Sequence, residues 1–116
     1  MVENRLVFKI VPETDWQKAV RAGRFAGSPI DVQDGFIHLS AAHQAKETAR
    51  RHFAGQTGLL LVAFRAADLS ALRWEPSRGG DLFPHLHAAL DPGLALWAKP
   101  LPWRGDGHDF PEGFAA

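Results

Sequence analysis

The sequence has no cysteine and no tyrosine among its 116 residues. The absence of thiols excludes disulfides, thiolate zinc sites and a cysteine nucleophile. Neither charge is in excess, since 13 basic residues balance 13 acidic ones. Nucleic acid is therefore not expected as a partner, because a binding surface for it is normally basic. The one basic run, residues 50–52, is typical of a solvated helix face.

Long hydrophobic stretches are also absent. The longest apolar run, residues 58–64, is far shorter than the roughly 20 residues of a membrane-spanning helix. The first ten residues carry charges at Glu3, Arg5 and Lys9 and contain no apolar signal core. We therefore expect a soluble, cytoplasmic protein without a membrane partner.

The composition that remains is typical of one folded domain. Hydrophobic residues make up 46% of the chain and charged residues 22%, which is enough apolar surface to offset the ordering entropy. We place this domain at residues 5–101. The following residues, 102–116, are rich in Gly, Pro and Asp, which predicts a tail that is loosely ordered or is laid across the surface by its aromatic residues.

Hydrophobic spacing predicts helices early in the chain and strands mostly later. Two short helices are expected at 14–22 and 41–53, with Ser40 as the N-cap of the second and a loop over 23–35 between them. Strands are expected at 6–11, 36–39, 58–65, 72–75, 83–87 and 94–99. Because helices and strands do not alternate regularly, the predicted fold class is α+β.

The segment Asp34–Ser40 is the first candidate site. On a strand, His38 and Ser40 share one face, whereas Ile37 and Leu39 share the other and are expected to enter the core. A histidine beside a hydroxyl suits proton transfer or hydrogen bonding to a ribose or phosphate. The structural alternative is that His38 satisfies a backbone group and Ser40 only caps the next helix.

A second candidate is the pair His85 and His87, which lie two residues apart on one strand face. That spacing can chelate a metal ion. A metal site would need a third ligand, for which the candidates are His38, His43, Glu75 and Asp81. Since a lone His-x-His is a weak signal, no metal is expected.

Three further residues bear on chemistry. Arg73 and Glu75 share one strand face, with Trp74 on the other. Glu75 is either a general base or acceptor for a ribose hydroxyl, or one half of a surface ion pair worth under about 1 kcal/mol. Lys9, alone in an apolar first strand, either snorkels from a sheet edge or lines a site.

Taken in order, several segments resemble the bacterial family called domain of unknown function 952. They cover roughly residues 5–101 and are Val7–Pro12 with Trp16, Asp34–Ser40, His52–Gly55, Arg73–Glu75 and Phe83–Leu86. The family typically has Tyr-Gly after Phe-Pro-His-Leu, where this chain has His87 and Ala88. This departure makes His85 the firmer site candidate of the two histidines.

The resemblance implies a fold similar to that of the ADP-ribosyltransferases, a small split β-sandwich that holds NAD in a cleft, here with two short N-terminal helices. The His38–Ser40 string is also similar to one in RNA 2′-phosphotransferases. Toxin-like transferases use a His-Tyr-Glu set, and this chain has no tyrosine. Lys9 takes the polar position of the first strand, Trp74 or Phe36 replaces the stacking aromatic, and Glu75 stands in for the acid.

Three functional hypotheses follow. The first is a transferase or NAD- and ADP-ribose-processing enzyme that performs ADP-ribosyltransferase-like glycosyl or phosphotransferase-like phosphoryl transfer, with NAD as a substrate. The second is a non-catalytic nucleotide- or metabolite-binding module, and the third is a structural or partner-binding domain. In the first, the catalytic residues are His38, Glu75 and His85, and the ligand-binding residues are Lys9, Ser40, Arg73 and Trp74.

Overall fold

Two long antiparallel strands, β1 (Leu6–Pro12) and β4 (Leu59–Arg65), form the centre of the fold. The computed structural model describes residues 5–115, apart from the side chain of Arg78. Seven residue pairs join the two strands. Nearly all of their side chains are buried, as the absence of polar alternation in β4 predicts for a strand covered on both faces.

The strands form two antiparallel sheets and a terminal hairpin. The four-stranded sheet has the order β3-β1-β4-β7 and the three-stranded sheet the order β2-β6-β5. The remaining strands are β2 (Ile37–His38), β3 (Ser40–Ala41), β5 (Leu72–Pro76), β6 (Leu82–Leu86), β7 (Trp97–Pro100), β8 (Trp103–Arg104) and β9 (Gly107–His108). Short 3₁₀ turns occur at Ala66–Asp68, Arg78–Gly80 and Pro92–Leu94.

The chain passes from one sheet to the other at Leu39. Before this residue, Ile37 and His38 pair with β6, and after it Ser40 and Ala41 pair with β1. The Leu39 amide donates to the carbonyl oxygen of Pro84 at 3.1 Å. Ile37 and Leu39 are buried in the core, as predicted, so His38 and Ser40 face away from it at the junction of the two sheets.

The first helix, α1 (Glu13–Ala22), matches the prediction and buries Trp16 and Ala19. The second, α2 (Pro29–Asp34), lies where a loop was predicted over residues 23–35, and that prediction was wrong at this point. Proline begins α2 and Gly35 ends it with a φ of 84°. Its start is closed by a hydrogen bond from the Ser28 amide to the Asp31 carboxylate at 2.8 Å.

The third helix, α3 (Ala45–His52), begins later than predicted. Ser40 is not its N-cap, because Ser40 and Ala41 extend β3 and pair with β1. The Ala41 amide instead donates to the side chain of Gln44 at 2.9 Å. Backbone pairing with β1 therefore overrides the local capping preference of Ser40.

Apolar side chains pack on both faces of the four-stranded sheet. One cluster contains Trp16 and Phe64, and the other contains Phe8 and Leu101. In the segment 102–116, β8 and β9 form a hairpin, and Phe114 lies edge-on to Phe8 with ring centroids 5.4 Å apart. The predicted α+β class is confirmed. No helix within residues 5–115 is long and apolar enough to cross a membrane.

Candidate functional site

A cleft of about 980 Å³ opens where β1, the junction of the two sheets, α2 and the end of α3 meet. Its volume is that of a site for a small molecule or cofactor. Apolar side chains in its wall include Phe8, Ile10, Phe53 and Phe83. Its polar wall includes Lys9, Asp34, His38, Ser40, Arg51 and His85.

Asp31 supports one wall of this cleft through bonds to Lys9 and His38, which line it. Its side chain is 1% exposed and accepts four hydrogen bonds, from the Lys9 ammonium, the Ser28 amide, and the amide and Nδ1 of His38, at 2.6 to 3.0 Å. Burial alone would raise the pKa of Asp31, but the bonds from His38 and the charge of Lys9 hold it well below its usual range. Asp31 is therefore a buried carboxylate.

Lys9 lies on an internal strand and is 5% exposed, so it does not snorkel from a sheet edge. Its Nζ donates to Asp31 at 2.9 Å and to the carbonyl oxygen of His38 at 3.0 Å. Burial lowers the pKa of the Lys9 ammonium, and the carboxylate of Asp31 opposes that change. Lys9 thus links β1 to α2 and β2 in the cleft wall.

His38 is held between two carboxylates. Its Nδ1 lies 2.6 Å from Asp31 Oδ1, and its Nε2 lies 2.9 Å from Asp34 Oδ2. The Nδ1 contact is a hydrogen bond, whereas the Nε2 contact is a close approach of the Asp34 carboxylate without hydrogen-bond geometry, which attracts the ring when the ring is protonated. The side chain of His38 is 33% exposed, and that of Asp34 38%, so this pair faces the cleft.

His85 is supported by a different carboxylate. Its Nδ1 lies 2.8 Å from Glu75 Oε1, which also lies 2.8 Å from His87 Nε2. These bonds, first that of His87 and then that of His85, lower the pKa of Glu75. Phe36 stacks on the His85 ring with centroids 4.1 Å apart.

The second ring nitrogen of His85 is the open position of the site. Because the Glu75 carboxylate only accepts, Nδ1 carries the proton of the neutral ring and Nε2 carries the lone pair. No residue within 5–115 bonds to this Nε2, and in the same range no buried side-chain nitrogen or oxygen lacks a partner. His85 Nε2 is therefore not completely buried, although the side chain is only 6% exposed, and His85 lines the cleft.

The two histidines meet across the strands β2 and β6. His38 and His85 are directly opposed in the strand register. Their ring centroids are 5.6 Å apart and their planes are inclined by 70°. Two carboxylate–histidine pairs, Asp31 with His38 and Glu75 with His85, therefore converge on one part of the cleft.

Of the residues singled out in the sequence, Lys9, His38, Ser40 and His85 line the cleft. The Ser40 hydroxyl lies 2.9 Å from that of Thr48 on α3, which joins the cleft wall to this helix.

Three others lie outside the lining. Glu75 contacts His85 from the far side of its ring, and Arg73 is an exposed residue opposite His85 in the register of β5 and β6. Trp74 packs against the core on the other face of the sheet, under the guanidinium of Arg5 at 3.9 Å.

The predicted metal-chelating spacing of His85 and His87 serves a different arrangement. Both rings bond to the same oxygen of Glu75. Among the described residues, no group of three or more histidine or acidic side chains is arranged to hold a metal ion.

Sequence reasoning assigned no role to Asp31 or to Asp34, the two carboxylates beside His38. The signal for Asp31 was present, since Ser28 and Asp31 have the spacing of a helix-capping pair and Pro29 suits the first helical position. The three glycines in residues 23–35 led to the prediction of a loop instead of this helix. Asp34 lies four residues before His38, but only the turn after α2 brings the two side chains together.

The arrangement of the chain matches that of known proteins. The family described as "Protein of unknown function (DUF952)" matches residues 10–97. The chain belongs to this family. This confirms the resemblance indicated by the sequence motifs.

Solved structures of another protein are similar to this DUF952 chain. The crystal structure of protein CC0527 from Caulobacter crescentus is 45% identical, with 89% of this chain and 91% of that chain covered and a TM-score of 0.85. The solution NMR structure of CC0527 has 45% identity and a TM-score of 0.80 over 89% of this chain and 90% of that one. No curated protein matches the chain.

Proposed function

We propose that this protein is an enzyme that binds a nucleotide-like small molecule in the cleft and transfers a glycosyl or phosphoryl group. The observation that carries this proposal is the accessible Nε2 of His85, held towards the cleft by the bond from Nδ1 to Glu75. NAD and ADP-ribose are the first ligands to test, because the resemblance to the ADP-ribosyltransferases implies them. That fold relationship stays a prediction.

The pairing of His85 with Glu75 suits proton transfer. In a carboxylate–histidine pair, the carboxylate orients the ring, selects its tautomer and stabilises the imidazolium that forms when the ring takes a proton. Glu75 meets His85 through Nδ1, so the nitrogen that would accept the proton is Nε2. Glu75 acts through His85 and is a positioning residue.

The composition of the cleft wall supports a nucleotide as the ligand. The hydroxyls of Ser40 and Thr48 and the guanidinium of Arg51 can bond to phosphate or ribose oxygens. Phe53 and Phe83 offer apolar surface for a base. Their combination fits a ligand with one charged and one aromatic part.

Asp34 supplies the acidic group on the cleft wall that sequence reasoning expected from Glu75. Its carboxylate is partly exposed and lies 2.9 Å from His38 Nε2. A carboxylate in this position can accept a ribose hydroxyl or stabilise positive charge on a ribose ring during glycosyl transfer. His38 would then orient this carboxylate and share the ligand with it.

A non-catalytic binding module is the second candidate, and the environment of His38 favours it. Both ring nitrogens of His38 lie against carboxylates, and the Lys9 ammonium is already paired with Asp31. In that case the polar groups of the cleft would recognise a ligand without reacting with it.

Ligand binding and turnover on the same preparations separate these functions. The protein is incubated with NAD or ADP-ribose, and the melting temperature and the products, nicotinamide included, are followed. A rise in melting temperature with product formation is expected for the wild type, because ligand binding stabilises the folded state. His85→Asn should keep the rise and lose turnover.

His43→Asn is the matched control for this experiment. His43 also pairs with a carboxylate, Asp81 at 3.2 Å, but it is exposed and lies outside the cleft lining. It should behave like the wild type. A melting shift with no turnover even by the wild type supports the binding module. The absence of a shift with every nucleotide contradicts both proposals.

A further inference from the structure

We infer that the reaction is hydrolysis of a ribonucleotide phosphodiester, with His85 as general base and His38 as general acid. This inference rests on the proposed function, because it specifies the bond that is broken in the same cleft. It is carried by the difference between the two histidines.

The geometry allows both rings to reach one reacting group. His38 and His85 are directly opposed on neighbouring strands, with centroids 5.6 Å apart. A general acid or base must lie within about 2.6–3.2 Å of the oxygen that it serves. The two rings are in edge-to-face contact, so a phosphate that lies against both from the cleft can present one oxygen to each of them.

The bonding of the rings assigns them opposite proton-transfer roles. His85 meets one carboxylate, through Nδ1, so its accessible Nε2 holds a lone pair. His38 bonds to Asp31 through Nδ1 and has the Asp34 carboxylate 2.9 Å from Nε2, so the charges of two carboxylates face the ring and stabilise a proton on it. The partly exposed carboxylate of Asp34 marks the position where a leaving oxygen would accept the Nε2 proton.

The step can be written with every atom accounted for. His85 Nε2 takes a proton from water, whose oxygen forms a bond to phosphorus. The bond from phosphorus to the ribose oxygen breaks, and that oxygen takes the proton from His38 Nε2. The products are a phosphomonoester and a ribose hydroxyl. Transfer of one proton from His85 to His38 through solvent restores the starting state.

The need for an acid distinguishes this bond from the nicotinamide–ribose and pyrophosphate bonds of NAD. Cleavage of the nicotinamide–ribose bond of NAD releases a neutral pyridine, which needs no proton. Cleavage of a pyrophosphate releases a phosphate, which is stable as an anion. A ribose oxygen leaves as a strongly basic alkoxide unless it is protonated, so cleavage of a phosphodiester to ribose uses both histidines.

Two substrates with different leaving groups test this assignment. The first is the dinucleotide adenylyl-adenosine, whose leaving group is a ribose oxygen. The second is the 4-nitrophenyl ester of adenosine 5′-monophosphate, whose nitrophenolate leaves without a proton. Wild-type protein is expected to hydrolyse both. His85→Asn should lose about 10²-fold or more on both, since each reaction needs the base.

His38→Asn should distinguish the two substrates. The expected loss is about 10²-fold or more on the dinucleotide and much less on the nitrophenyl ester. Asp34→Asn is a second variant that leaves the buried bond of His38 to Asp31 intact. It should show the same selective loss because the imidazolium loses one of its two carboxylates. His43→Asn should match the wild type on both substrates.

Two results would overturn the inference. Equal losses on the two substrates in both His38→Asn and Asp34→Asn would remove the general acid. Release of nicotinamide from NAD, with no hydrolysis of either diester, would contradict this inference and leave the proposed function standing. Absence of nucleotide binding would contradict the proposed function itself.

Discussion

In one carboxylate–histidine pair the carboxylate is the buried partner, and in the other pair the histidine is. In the first, the Asp31 side chain is 1% exposed and His38 is 33% exposed. In the second, His85 is 6% exposed and Glu75 is 33% exposed. A buried carboxylate needs a full set of donors, which Lys9, Ser28 and His38 provide, whereas an exposed one is solvated by water.

This difference in burial assigns Asp31 a role in stability and Glu75 a role in activity. Asp31 ties together β1, β2 and α2, so it holds the cleft wall in place. Glu75 on β5 bonds to His85 on the neighbouring strand β6 and to His87 just after it. It therefore orients rings that the sheet already positions. We expect changes at Asp31 to act mainly on folding and changes at Glu75 mainly on activity.

The largest effect is expected for Asp31→Ala. The change removes the acceptor of four hydrogen bonds and leaves the Lys9 ammonium buried without a carboxylate. Removing one partner of a buried ion pair costs about 3–5 kcal/mol. Urea unfolding should show a loss of this order in the free energy of unfolding, and a smaller loss for Glu75→Ala.

A double variant sharpens this prediction. Lys9→Met combined with Asp31→Leu removes both charges and should be more stable than Asp31→Ala alone, because no charge is left buried and unpaired. Equal losses for Asp31→Ala and Glu75→Ala would show that burial of the carboxylate does not separate the two pairs.

An intermediate effect is expected from acid. The pKa of Asp31 is lowered in the folded protein, so its contribution to stability is present above its unfolded value of about 3.9. That contribution is lost as the pH falls towards the lower folded value. The urea midpoint of the wild type should fall below about pH 4, and that of Asp31→Asn should fall less.

Other carboxylates titrate in the same range, and they define the control. Bonds from Arg50 and Arg51 lower the pKa of Glu47 to about 2. These three residues are unchanged in Asp31→Asn, so the acid dependence that they cause is the same in both proteins. Glu75→Gln removes an exposed carboxylate of lowered pKa and should keep most of the wild-type acid dependence. The same steepness in wild type and Asp31→Asn would contradict a buried, ionised Asp31.

The smallest effect on stability is expected for Glu75→Gln. The amide oxygen can still accept from His85 Nδ1, but the charge that stabilises the imidazolium is lost. The melting temperature should change little, while kcat for the adenylyl-adenosine substrate should fall about 10-fold or more with little change in KM. A fall in stability with unchanged kcat would reverse the contrast with Asp31.

Local pattern predicted much of this fold. The uninterrupted apolar run of β4 forms a buried strand where one was expected. Helix α2 was missed because glycine-rich neighbours weakened its signal. Ser40 has the preference of an N-cap, but its backbone pairs with Phe8 on β1 instead of beginning a helix.

The candidate site was predictable only in part. Strand alternation by itself determined that His38 and Ser40 oppose the buried Ile37 and Leu39, since side chains alternate with a period of two. Tertiary structure alone decided that Asp31 meets Lys9, 22 residues away, and that His38 faces His85. Such contacts depend on how two sheets and a short helix pack, and no local preference encodes which distant carboxylate a buried cation finds.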